Sequence, residues 1–82
     1  MALKRHNGTA IRCFRIKLTG LKPGEFANRA GIAYSTLDNI ENERKEASLE
    51  ALHRIADALG VPAEAIVRDP ASLVPTVARA VS

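Results

Sequence analysis

The side chains able to do covalent or metal chemistry are few and scattered. His6, His53 and Cys13 lie at intervals that match none of the spacings at which zinc ligands recur. No serine, histidine and carboxylate form a distinctive set, and Gly20 and Gly24 lack the flanking pattern of a phosphate-cradling loop. No cofactor or metal is expected. What the chain does arrange is charge. Residues 1–29 hold seven cations (Lys4, Arg5, Arg12, Arg15, Lys17, Lys22 and Arg29) against Glu25, a balance of +6. Residues 38–50 hold Asp38, Glu41, Glu43, Glu46 and Glu50 against Arg44 and Lys45, a balance of −3. A cationic stretch of that strength fits a polyanionic partner, and equally a solvated basic face.

The chain that must position these charges is short. Its 82 residues, 46% hydrophobic and 26% charged, suit one small folded domain with a thin core. A domain of that size has little room to wall off a deep catalytic cleft, so an enzyme is not expected. A single cysteine excludes an internal disulfide and fits a reducing cytosol. No apolar run approaches the roughly 18 residues of a bilayer span, and no secretion-signal core follows Lys4 and Arg5. The expectation is a cytoplasmic protein without a membrane partner.

Apolar residues recur at helical spacing and no alternating run suggests a strand, so the fold is expected to be all-α. Residues 1–8 read as a basic arm ending at Asn7-Gly8, residues 9–68 as the folded domain, and residues 69–82 as a tail. Thr9 can cap a first helix whose inner face is Ile11, Phe14 and Leu18, with Thr19-Gly20 as its stop. Pro23 suits the first position of a second helix, from Pro23 to Arg29. A third helix runs from Tyr34 to Asn42 behind Ala33, a poor cap. Ser48 caps a fourth, with Leu49, Leu52, Ile55, Ala56 and Leu59 as its apolar stripe and Gly60 as its end. A fifth helix is expected from Pro62 to Val67. In the tail, Leu73, Val77 and Val81 are four apart, which makes a candidate sixth helix and dimerisation segment.

The middle of the chain carries a motif. Two short helices meeting at Gly31 suggest a helix-turn-helix. In a twenty-residue window opening at Pro23, positions four, eight, ten, fifteen and eighteen are Phe26, Ala30, Ile32, Leu37 and Ile40, all apolar. Position five is Ala27, where a larger side chain would strike the partner helix. Position nine is Gly31, where the turn calls for positive φ. A hairpin built only for packing meets the apolar positions readily, but less readily the small residue and the glycine together.

The run Gly31-Ile32-Ala33-Tyr34-Ser35-Thr36-Leu37-Asp38-Asn39-Ile40-Glu41-Asn42, followed by Ser48-Leu49-Glu50-Ala51-Leu52 and Ala56-Asp57-Ala58-Leu59-Gly60-Val61, resembles the Cro/repressor type of helix-turn-helix, the xenobiotic-response-element family. The resemblance covers about residues 9–68. It implies a phage-repressor-like domain of five helices and a transcription regulator that binds double-stranded DNA, commonly as a homodimer. It also implies that a helix-one arginine, here Arg12, pairs with Glu41 to orient the two helices. Four departures stand out. Pro23 replaces a frequent glutamine. Glu43 stands where glycine is common, so Asn42 is expected to take the left-handed position. Ala47 replaces a loop proline, and the first helix lies one residue further from the second than is usual.

A third helix in the major groove would present Tyr34, Ser35 and Asn39 to base edges. Asn39 suits adenine, Ser35 several bases, and Tyr34 a thymine methyl or a phosphate. Lys22, Thr36, Arg44 and Lys45 are the expected phosphate contacts, joined by the second helix's N-terminus and the arm's Lys4 and Arg5. Asp38 also faces outward and is expected to sit away from the duplex. A dimer surface is sought in Val61, Ile66, Val67, Leu73, Val74, Val77 and Val81, because one helix reads too few base pairs for specificity. The simplest regulator of this kind is a repressor occupying a palindromic operator. Two other readings stay open: an antitoxin that binds both DNA and a toxin, and a protein-interaction module on the same fold, which Pro23 and Asp38 would favour.

Overall fold

Helical spacing is realised as four α-helices within residues 5–68, which are the residues this computed structural model describes. They are α1 (Gly8–Phe14), α2 (Pro23–Ala30), α3 (Tyr34–Glu41) and α4 (Leu49–Leu59). The fifth helix expected at Pro62–Val67 is instead a 3-10 turn, Ala63–Ile66. Val67 is already extended, at φ −119° and ψ 153°, so only one turn fits after Pro62. The candidate sixth helix and its apolar residues lie outside the described residues.

Alpha-helix α4 forms as its sequence suggests. The Ser48 hydroxyl accepts from the Ala51 amide at 3.1 Å, and Gly60 closes the last turn at φ 78°. Its stripe buries Leu52, Ile55, Ala56 and Leu59 against α2 and the 3-10 turn. Phe26 and Ala27 of α2, Leu37 and Ile40 of α3 and Ile11 of α1 complete one core. Ala27 is only 1% exposed, which is why nothing larger fits there.

The first helix departs most from expectation. Its cap is Asn7, not Thr9: the Asn7 carboxamide oxygen accepts from the Ala10 amide at 3.0 Å. The helix therefore begins at Gly8, and only glycine fits there. A Cβ on Gly8 would lie 2.4 Å from the Glu41 carbonyl oxygen, so α1 starts in backbone contact with the end of α3. Residues 5–8, expected as part of the arm, are built into the fold. The Asn7 amide donates to the Ile66 carbonyl and the Arg68 amide to the Arg5 carbonyl, each at 2.8 Å, in an isolated antiparallel bridge. His6 is fully buried between them, and its Nε2 donates to the Ile40 carbonyl at 2.8 Å.

After Phe14 the helix widens into a π-helical turn, Arg15–Thr19, where the Gly20 amide reaches back five residues to the Arg15 carbonyl at 3.0 Å. The turn holds one residue more than an α-turn, which absorbs the extra residue between the first two helices. It also changes which face the later side chains meet. Leu18 slips off the inner face and is 55% exposed, whereas Arg15, four residues after Ile11, keeps the inner face and is 6% exposed.

Arg15 thus becomes the main partner of Glu41. Its Nε and Nη2 donate to the two carboxylate oxygens at 2.7 and 3.1 Å, and its Nη1 donates to the Leu21 carbonyl at 2.9 Å. Arg12, expected in that role, approaches Glu41 only to 3.5 Å from a half-exposed position, and it donates to the Asn42 side chain at 3.0 Å. The correction has a plain cause: Arg15 stands four residues after the buried Ile11, on the inner face of the helix, and Arg12 stands beside that face.

Glu43, not Asn42, takes the left-handed conformation after α3, at φ 55°. The strain of a non-glycine residue there is offset by two bonds that glycine could not make. The Glu43 carboxylate accepts from Arg68 Nη2 at 2.8 Å and from the Gly8 amide at 2.9 Å. The hydrogen bond from Arg68 is the main reason its pKa lies below the ordinary glutamate value; burial opposes the shift, and the Gly8 amide adds to it.

Two outcomes follow for stability. Arg15→Ala should cost about 3–5 kcal/mol, because Glu41 is left buried without its partner, whereas Arg12→Ala should cost no more than about 1 kcal/mol. Urea unfolding followed by circular dichroism measures both, and equal losses would mean that Arg12 and Arg15 support Glu41 alike. The second concerns Glu43. A carboxylate with a lowered folded pKa stabilises the fold above its unfolded value and loses that contribution as the pH falls through the folded one. Glu43→Gln should therefore be less stable than the parent at neutrality and indistinguishable from it near about pH 3, below the usual carboxylate range. A stability gap that persisted in acid would assign the effect to shape rather than charge.

Candidate nucleic-acid interface

The α2–turn–α3 unit is set by local rules. Pro23 opens α2, and the Glu25 carboxylate accepts from the Lys22 amide at 3.1 Å. Gly31 closes α2 at φ 76°, as the motif requires. Ala33 stands at the N-cap of α3 with no side-chain hydrogen bond. The first turn of α3 is therefore held by packing of Leu37 and Ile40 rather than by a cap.

That packing aims the opposite face outward. Tyr34 is 56% exposed, Ser35 is exposed, and Asn39 and Thr36 are half-buried. Among the described residues, the side chains of Tyr34, Ser35 and Asn39 form no hydrogen bond, so their donors and acceptors remain available. Ser35, Thr36 and Asn39 line one wall of an open groove of about 290 Å³, and Lys45, Glu46, Ala47 and Ser48 line the other. Two expected base-contact residues and two expected phosphate-contact residues thus share a single concavity. Tyr34, Lys22 and Arg44 lie outside it.

The cations divide into two groups. Arg15, Arg12, Arg5, Arg44, Arg54 and Arg68 are each within 4 Å of a carboxylate. Lys17, Lys22, Arg29 and Lys45 are exposed and enter no ion pair among the described residues. Two expected phosphate contacts have an internal partner: Arg44, at 2.6 Å from Asp38, and Arg5, at 3.5 Å from Glu46. The sequence did not mark Arg15 as the partner of Glu41, His6 as a buried residue bonded to Ile40, or Asn42 as a partner of Asp38. Arg15 lies four residues after Ile11, on its inner face, and that spacing was a usable signal; nothing in the sequence marked His6.

Among the described residues no three His, Cys, Asp or Glu side chains gather as a metal site, and Cys13 is exposed. No helix among them is long and apolar enough to cross a membrane.

The helix-turn-helix family model matches residues 14–66. The clp gene regulator ClgR from C. glutamicum is 33% identical with a TM-score of 0.63, covering 70% of this chain and 73% of its own. The restriction-modification controller protein C.AhdI from Aeromonas hydrophila is 24% identical with a TM-score of 0.67, covering 71% and 83%. The SinR/SinI protein complex holds a chain 24% identical with a TM-score of 0.70, covering 90% and 72%. At 24% identity the last two likenesses concern the fold. None of the curated proteins matches the sequence.

Proposed function

Because the chain belongs to the Cro/C1-type helix-turn-helix family, we propose that it is a transcription regulator that binds double-stranded DNA with α3 in the major groove. The observation that carries this reading is the outward face of α3. Tyr34, Ser35 and Asn39 hold their polar atoms free of internal partners, at the end of a helix that its core residues fix in place. Asn39 pairs with adenine through two hydrogen bonds, Ser35 meets a base edge, and Tyr34 meets a thymine methyl or a phosphate. Lys22, Lys45 and Thr36 hold phosphates on either side, and the exposed Lys17 and Arg29 add to the field that draws the duplex in.

The finer part of the proposal is a cytoplasmic dimeric repressor. One recognition helix reads a few base pairs, too few against a genome of competing sites. Two copies related by a two-fold axis read a palindrome with half-sites about 34 Å apart. Ile66 and Val67, considered above for the dimer surface, are buried in the core at 0% and 8% exposure. Val61 is half-buried against that core, which leaves Leu73, Val74, Val77 and Val81 as the main apolar residues for a partner copy.

Asn39→Ala should weaken binding to the selected site by about 1–3 kcal/mol and relax preference at one base pair, with affinity for random duplex barely changed. A parallel fall in both affinities would give Asn39 a phosphate role instead. Deleting residues 71–82 should leave a helical monomer that binds a half-site weakly and without cooperativity. Sedimentation at micromolar concentration checks this: a truncated chain that still dimerises would place the interface within residues 1–70, and one that unfolds would make the tail part of the core.

A further inference from the structure

The loop after α3 does not project into solvent. The Arg44 amide donates to the Asn39 carbonyl at 2.9 Å, which folds the loop back over the helix end. The Arg44 side chain returns along α3, and its Nη1 donates to Asp38 Oδ2 at 2.6 Å. The other oxygen of the same carboxylate accepts from Asn42 Nδ2 at 3.1 Å, and that amide also reaches the Asp38 carbonyl at 2.9 Å. Asp38 is thereby held from both sides. It lies three residues after Ser35 and four before Asn42, on one side of the helix with them and beside Asn39. A guanidinium that is 57% exposed thus stands on the face assigned to base reading.

Resting on the reading that α3 enters the major groove, we propose that Arg44, braced by Asp38, recognises a guanine rather than holding a phosphate. Guanine presents O6 and N7 side by side in the major groove, and the planar fork of arginine matches them with two parallel hydrogen bonds. A guanidinium carries five N–H donors, so pairing with Asp38 leaves an outer edge for the base. The brace removes rotamer freedom that would otherwise be lost on binding. It also sets a negative charge against the cation, so the pair has little attraction for phosphates in general. A phosphate contact would require Arg44 to leave Asp38 unpaired beside the duplex.

The test uses the full chain. Selection from a random duplex pool supplies the site, and a wild-type chain that enriches nothing would overturn the DNA-binding reading itself, before Arg44 is touched. Given a site, one guanine in each half-site should be sensitive to 7-deazaguanine, which lacks the N7 acceptor. That replacement should weaken wild-type binding about 5- to 150-fold and leave Arg44→Ala unaffected. Arg44→Ala should bind random duplex as the parent does, with the same salt slope. Asp38→Asn should lose part of the guanine preference without gaining general affinity. Circular dichroism confirms that both variants fold, since neither side chain is in the core. The proposal is overturned if Arg44→Ala weakens every duplex alike while the salt slope falls by about one. It is equally overturned if Asp38→Asn tightens binding to all duplexes, which would make Asp38 a restraint on a phosphate-seeking cation.

Discussion

The buried pair of Arg15 and Glu41 is the interaction on which the arrangement of this chain depends. Glu41 is the last residue of α3, and Arg15 opens the π-helical turn that follows α1. Two charge-assisted hydrogen bonds join them, and a third from Arg15 reaches the Leu21 carbonyl at the approach to α2. One guanidinium thereby sets three elements relative to each other. A pair of this kind adds little net stability over an apolar substitute, because both charges must be desolvated. What it does is fix orientation, since a planar fork meets a carboxylate in few geometries. A core of Ile, Leu and Ala would let α3 rotate or slide by small amounts at low cost. The fork does not, and the face of α3 that points outward is set accordingly.

The helix-turn-helix was legible in the sequence because its constraints are local. Ala27 and Gly31 each answer to a single steric fact, a close helix approach and a positive φ, and both facts hold in the structure. The Ser48 cap and the α4 stripe were readable for the same reason. The first helix was not. Its extra residue was visible, but whether an insertion lengthens a loop or widens a helical turn depends on what the side chains there can reach. Here Arg15 reaches Glu41, twenty-six residues away, and that contact is absent from any local window. The 5–8 segment hid for a similar reason. Gly8 is required by a carbonyl of α3 rather than by its own turn, and His6 is buried by residues about sixty positions downstream.

The end of α3 shows how a departure from a family's habit can be compensated. Glycine would relieve the left-handed strain after Asn42, yet the chain carries Glu43 at φ 55°. Its carboxylate takes the Gly8 amide, an N-terminal donor of α1 that no residue within that helix could satisfy. It also takes Arg68 from the far end of the domain. The same loop then lays Arg44 back on Asp38. Strain at one residue is thus the condition for a loop that ties α1, α3 and the last described residue together.

Charge gains a different meaning once the fold is known. The segment 38–50, acidic in sequence, looks ill suited to approach a polyanion. In the structure each of its carboxylates has an internal cation: Asp38 has Arg44, Glu41 has Arg15, Glu43 has Arg68, Glu46 has Arg5 and Glu50 has Arg54. The buried and half-buried pairs among these are screened from solvent least and cancel best. Five of the six arginines in ion pairs are consumed in that cancellation, with Arg12 as a sixth beside Glu41. Lys17, Lys22, Arg29 and Lys45 remain outside these pairs. Three of those four belong to the segment whose sequence balance is +6, which also supplies Arg5, Arg12 and Arg15 to the pairs. The acidic segment is thus tied down by internal cations, and Lys45, which shares a groove with Ser35, Thr36 and Asn39, is left outside those pairs. The division also follows residue type: the arginines, whose planar forks suit fixed carboxylates, are mostly engaged inside, and the lysines, which act as point charges on flexible stems, are left to the solvent.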